Sequence, residues 1–141
     1  MPKLKARDAT QFAALPCRLN DAGKREVMLL TSRGTGRWII PKGWPIKGLK
    51  PREVAAREAF EEAGLLGQVA SKTPFGVFHY AKQSAKEPLL CQVHVYLMWV
   101  DQQLTDWPEK HERQTRWFEI ADAAEQVREG GLAEIILRMA Q

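Results

Sequence analysis

Glu58, Glu61 and Glu62 stand at i, i+3 and i+4, a spacing that places three carboxylates on one side of a helix. Like-charged pairs at this spacing each cost about 0.2–0.5 kcal/mol, so the cluster calls for a compensating charge. A hard divalent cation supplies it, since Mg²⁺ binds through few protein carboxylates and is completed by waters and substrate phosphates. Just upstream, Arg33, Arg37, Lys42, Lys47, Lys50 and Arg52 occur with no acid between them, a basic stretch suited to phosphate oxygens. Arg57, at the edge of the acidic face, has a planar donor fork that orients a neighbouring carboxylate or clamps a phosphate. The plainer alternative is a solvated helix face neutralised by Arg57 and nearby lysines.

The elements that must position these groups are legible from punctuation and periodicity. Residues 10–19 and 25–32 form a β-hairpin across the turn-rich Asn20–Gly23. Trp38-Ile39-Ile40 is a short strand stopped by Pro41, and Gly43, Pro45, Gly48 and Pro51 make 41–51 a loop. A helix is expected from Pro51, suited to a first helical position, to Ala63, with Gly64 as its left-handed cap. Ala56, Ala59, Phe60 and Ala63 should form its packed side, leaving the acidic side presented to solvent. Strands follow at 73–80 and 89–101 around a polar 81–88 loop, then a polar 102–114 segment and a last strand over Thr115–Ile120. A helix begins at Ala121–Val127, and Leu132, Ile135, Ile136 and Met139 recur as one amphipathic helical stripe. The order β-β-β-α-β-β-β-α predicts an α/β (α+β) domain with a mixed central sheet.

The glutamates and their flanks resemble a family signature, the Nudix box, Gly-x₅-Glu-x₇-Arg-Glu-U-x-Glu-Glu-x-Gly-U, where U is bulky and aliphatic. Here it reads Gly43, Leu49, then Arg57-Glu58-Ala59-Phe60-Glu61-Glu62-Ala63-Gly64-Leu65, so the box spans 43–65. Five fixed residues at chance frequencies of about 5–7% each would match in a chain of this length with odds of roughly 10⁻⁴. Two positions depart from the pattern: Leu49 replaces the first Glu, which bears on the number or affinity of bound cations, and Ala59 is a packing change. The resemblance implies an α/β/α sandwich over a single domain, 1–141. It also implies a Mg²⁺-dependent (or Mn²⁺-dependent) pyrophosphohydrolase, with water attacking phosphorus in a diphosphate linked to another moiety. By the same analogy Glu58, Glu61, Glu62 and the Lys42 carbonyl bind metal, Arg57 orients a catalytic carboxylate, and Glu58 is the first choice of general base. Glu109 and Glu112 are the loop alternatives for that role.

Trp38–Trp44, Asp106-Trp107 and Arg116–Ala123 further resemble the entries and tails of diadenosine polyphosphate hydrolases and diphosphoinositol polyphosphate phosphohydrolases, more weakly than the box does. Lys42 is the foremost substrate contact, with Arg37 and Lys47 beside it and Lys50 and Arg52 enlarging the positive field; Lys82 and Lys86 border the cleft if their hairpin folds over it. Trp44, Phe78, Tyr80 and Trp107 are the aromatic surfaces available to a base. The expected partner is an anionic diphosphate, with nucleic acid admitted only as a capped or triphosphorylated RNA substrate; oligomeric state stays open. The alternatives are a non-catalytic module binding a phosphorylated ligand or RNA, and an RNA 5′-end pyrophosphohydrolase.

Composition sets the remaining bounds. The 141 residues are 45% hydrophobic and 27% charged with a formal charge of +4, usual for one globular domain and mild for a nucleic-acid binder. No apolar run approaches the ~20 residues of a membrane span, and no signal peptide is evident, so a soluble cytoplasmic protein is expected. Cys17 and Cys91 lack metal or disulfide spacing and read as reduced, buried thiols. His79, His94 and His111 lack ligand spacing, and neither a Gly-x-Ser-x-Gly elbow nor a P-loop is present.

Overall fold

The computed structural model describes residues 9–82 and 88–140. In chain order its strands are β1 (Thr10–Leu19), β2 (Arg25–Thr31), β3 (Trp38–Ile39), β4 (Lys42–Gly43), β5 (Leu65–Gln68), β6 (Gly76–Lys82), β7 (Leu89–Gln103) and β8 (Thr115–Glu119). The helices are α1 (Pro51–Ala63), α2 (Ile120–Gln126) and α3 (Gly130–Leu137).

Pro16 lies inside β1 and has no N–H to give, and the sheet is organised around that gap. β1 and β2 pair antiparallel only from Cys17↔Val27 to Leu19↔Arg25 and then splay apart. The wedge between them is filled by β3 on β2 and β4 on β1, with the Ala14 amide donating to the Pro41 carbonyl at 3.0 Å. Lys42 and Gly43 are thereby fixed in the sheet beside Phe12 and Ala13. On its other side β1 runs parallel to β7 from Thr10↔Gln92 to Cys17↔Trp99, which makes the sheet mixed. β7 carries β6 along its first half and β5 along its second, while β8 joins β2.

Helices cover both faces. α2, through Ile120 and Ala123, and α3, through Leu132, Ile135 and Ile136, share one core with Leu15, Val27, Leu29, Val93 and Val95. α1 packs on Ala14, Met28, Leu65, Tyr96 and Met98 through Ala55, Ala59 and Ala63. Alanines at i, i+4 and i+8 leave little bulk between helix and sheet, so α1 lies close to the strands. The face assignment from sequence needs correction here. Ala56 and Phe60 flank the contact, and Glu62, expected outside, is only 5% exposed, because it stands three residues from Ala59 and shares its face. Two further expectations are revised: β5 is a strand that alternation does not announce, and the terminal helix is broken where Val127 forms an isolated bridge with Trp38 before α3 restarts. Cys17 and Cys91 are buried and unpaired with each other; burial pushes the Cys17 thiol up to about 12. No helix among the described residues is long and apolar enough to cross a membrane.

α1 begins at Pro51, with the Glu53 carboxylate accepting the Lys50 amide at 2.8 Å, and ends at Gly64 with φ 69°. A Cβ on Gly64 would lie 2.3 Å from the Trp107 ring, so both backbone conformation and space require glycine. Gly23 also has positive φ (79°) but open space around it. Gly64→Ala is therefore expected to lose about 1–2 kcal/mol from left-handed strain and about 1–3 kcal/mol more from overpacking, whereas Gly23→Ala loses only the first. Urea unfolding of the two variants checks the difference; equal losses would contradict it.

Candidate functional site

Glu58 and Glu62 lie one helical turn apart on α1, facing β4. The Glu58 carboxyl group occupies the space beside Gly43 where a side chain would begin: a Cβ there would sit 2.4 Å from Glu58 Cδ. The box glycine is thus the floor on which the first carboxylate rests. The two carboxyl groups stand close enough for each to perturb the other's protonation. Burial drives the Glu62 pKa up to about 9, reinforced by the neighbouring Glu58 carboxyl group, and burial also raises the Glu58 pKa. A buried pair of like groups that keeps a proton so far above the ordinary carboxyl range is a place where a cation can replace that proton.

The segment after β7 holds this pair in position. The last carbonyls of α1 are taken in turn: Glu61 O by the Glu109 amide at 3.0 Å, Glu62 O by Trp107 Nε1 at 3.2 Å, Ala63 O by Gln103 Nε2 at 2.9 Å, and Gly64 O by the Leu104 amide at 2.8 Å. A helix end otherwise left with unpaired acceptors is closed by one loop, and that loop delivers Glu109 and Arg113 to the carboxylates. Arg113 Nε bonds Glu109 Oε1 at 2.9 Å, its Nη2 lies 3.9 Å from Glu62 Oε1, and its Nη1 donates to the Thr31 carbonyl at 3.3 Å. Sequence reasoning missed Arg113, whose one local signal is its i+4 spacing from Glu109 in an otherwise irregular stretch.

These groups line one cleft of about 410 Å³. Lys42 lies on its wall, largely buried, with Nζ 5.2 Å from the Tyr80 ring centre; desolvation lowers its pKa. Tyr80 is itself fixed by donating to Gln11 Oε1 at 2.7 Å. Arg33, Lys82 and Trp44 also face the cleft, as do Glu58, Glu62 and Glu109. The other expected residues are placed elsewhere. Glu61 pairs with Arg57 at 3.7 Å, and neither lines the cleft. Arg37 pairs with Glu129 at 3.3 Å, on the far side of Lys42, and Lys47 is exposed away from it. Glu112 is bound to Arg33 at 2.8 Å. Phe78 belongs to the core and Trp107 to the α1 cap, which leaves Trp44 and Tyr80 as the aromatic walls. Lys86 lies outside the described residues. His94 bonds Gln92 at 3.1 Å on the sheet surface, away from this cleft.

Among the described residues no three His, Cys, Asp or Glu side chains form a ready cage for a metal. Glu58 and Glu62 instead offer a pair of hard oxygen donors in a cradle that only glycine at 43 leaves open. That suits Mg²⁺, which keeps several waters and takes only one or two carboxylates, better than a cation needing an all-protein shell.

The family model described as NUDIX domain matches residues 10–139. Nudix hydrolase 12, mitochondrial, of Arabidopsis thaliana is 32% identical over 106 residues, covering 72% of this chain and 52% of that protein. Human diphosphoinositol polyphosphate phosphohydrolase 3-alpha is 32% identical over 117 residues, covering 79% and 65%. The chain spans between half and two thirds of the length of these relatives. The crystal structure of a C. elegans Ap4A hydrolase binary complex has the same fold, with a TM-score of 0.65 at 20% identity over 94% of this chain and 95% of that one.

The carboxyl pair makes stability pH-dependent. Because the folded Glu62 holds its proton up to about 9 against an ordinary value of 4.5, its contribution is fully present below 4.5 and is lost as pH rises towards 9. Metal-free protein should therefore melt several degrees lower at pH 9 than at pH 5, at about 4 °C per kcal/mol for a domain of this size. Mg²⁺ should recover more of that loss at high pH, and Glu62→Gln should flatten the profile. Calorimetry across this range checks it; an identical slope in Glu62→Gln would contradict the assignment.

Proposed function

The chain belongs to the Nudix family, and on that premise we propose that it is a divalent-cation-dependent pyrophosphohydrolase acting on a small anionic diphosphate. The observation that carries the reading is the single cleft with the Glu58–Glu62 pair on one wall and the cation Lys42 on another. A diphosphate brings its negative oxygens to Lys42, with Arg33 and Lys82 adding to the field at the rim. Glu58 and Glu62 would hold Mg²⁺, or Mn²⁺ in its place, with Glu61 and the Lys42 carbonyl the further ligands that the family resemblance implies; when bound, the cation neutralises phosphate charge and aligns the diphosphate for in-line attack. Water forms the new bond to phosphorus while the bridging P–O bond breaks, the electron pair leaving with the departing phosphate.

Of the carboxylates weighed as general base, Glu58 remains the assignment. It lines the cleft, whereas Glu112 is held by Arg33 and Glu109 is engaged by Arg113. Arg57, 3.7 Å from Glu61, orients that carboxylate and relieves the self-repulsion of the acidic face of α1. The substrate class is a dinucleoside polyphosphate or a diphosphoinositol polyphosphate. Both readings are supported by names among the relatives, and Trp44 and Tyr80 supply stacking surfaces for a base.

Incubation with Mg²⁺ and a panel of diadenosine polyphosphates, diphosphoinositol phosphates, nucleotide sugars, nucleoside triphosphates and 5′-triphosphorylated RNA, with products identified by mass, tests this directly. One class should be cleaved selectively. Glu58→Gln and Glu62→Gln should each lower kcat by about 10²–10⁴-fold with circular dichroism unchanged. Lys42→Met should act mainly by raising KM. Binding without cleavage of any member would favour the non-catalytic module, for which Leu49 in place of a box glutamate is the motive.

A further inference from the structure

Arg113 is more deeply buried than any role as a surface cation requires. Its side chain is 8% exposed and that of Glu62 is 7% exposed, and it reaches Glu62, Glu109 and the Thr31 carbonyl at once. It ties together α1, the capping loop and the end of β2. Its charge lies 3.9 Å from Glu62 Oε1 on the lining of the same cleft, in surroundings that screen poorly.

We propose that Arg113 is an internal counter-charge of the carboxylate site, a positioning residue that disfavours cation binding to the free protein and couples cation uptake to arrival of the anionic diphosphate. The inference rests on the pyrophosphohydrolase reading for its ligand and on the pairing of Arg113 with Glu62 and Glu109 for its direction. Repulsion from Arg113 weakens cation binding when the cleft is empty. Diphosphate oxygens offset that repulsion, so cation and diphosphate strengthen each other's binding by the same factor.

The test is a titration with Mn²⁺ alone, following free Mn²⁺ by electron paramagnetic resonance, with and without methylenediphosphonate as an uncleavable diphosphate. Wild type, Arg113→Gln, Arg113→Lys and Glu62→Gln are compared. Without diphosphate, Arg113→Gln should bind Mn²⁺ about tenfold more tightly than wild type, and the gain on adding diphosphate should shrink by a similar factor. Arg113→Lys, which keeps the charge and loses the fork, should retain wild-type affinity, whereas a merely structural strut would lose it. Loss of affinity in that arm overturns the proposal even if the Gln variant does not fold. Glu62→Gln should abolish the signal. Mn²⁺ binding in Arg113→Gln that equals or falls below wild type, or loss of affinity in Arg113→Lys, would overturn the proposal. Hydrolysis is read separately: tightened Mn²⁺ binding with no cleavage of any diphosphate would overturn the enzyme reading and leave the counter-charge standing.

Discussion

Two carboxyl groups drawn out of water beside each other cannot both be charged without a compensating cation, and that constraint shapes the site around Glu58 and Glu62. In the protein alone the conflict is met by a retained proton on Glu62 and by Arg113 nearby. The proton is replaceable by a divalent ion of higher charge density, whereas the Arg113 guanidinium stays in place. The pair is therefore poised, and its burial follows from the alanine line at 55, 59 and 63, which seats α1 so close to the sheet that position 62 goes under.

The rest of the molecule holds that poise. Pro16 ends the β1–β2 ladder and opens the wedge that receives β3 and β4, placing Gly43 under Glu58 and Lys42 across the cleft. The loop from Gln103 to Glu109 closes the far end of α1 carbonyl by carbonyl, and Trp107 seats on Gly64. Loop and helix are thus one mechanical unit. A change at Gly64 or Trp107 acts on the carboxylates through the helix end, without touching any reacting group.

Much of this was legible in the residues. Pro51, Glu53 and Gly64 mark both ends of α1 by cap chemistry, and the hairpin at 10–31 and the long β7 strand follow from alternation and turn residues. What escaped has physical reasons. β5 has four residues with a glycine among them, too short for a period to register. The break between α2 and α3 comes from the bridge of Val127 to Trp38, a partner 89 positions away in the chain. Burial of Glu62 was hidden because charge argues for solvent, and only the packing of its neighbours reverses that. Among the cations, the stretch from 33 to 52 contains the cleft-lining Arg33 and Lys42 but does not rank its members. Lys42 is held by strand pairing, while Arg37 is taken by Glu129 and Lys47 turns outward. Arg113 is legible only once the loop is seen folded against α1.

The most direct test of the central claim is an anomalous difference map from a crystal grown with Mn²⁺ and an uncleavable diphosphate. The account predicts a peak within about 2.1 Å of carboxylate oxygens of both Glu58 and Glu62, with diphosphate oxygens completing the shell. A peak held by other residues, or a Glu58–Glu62 pair without metal at saturating Mn²⁺, would contradict it.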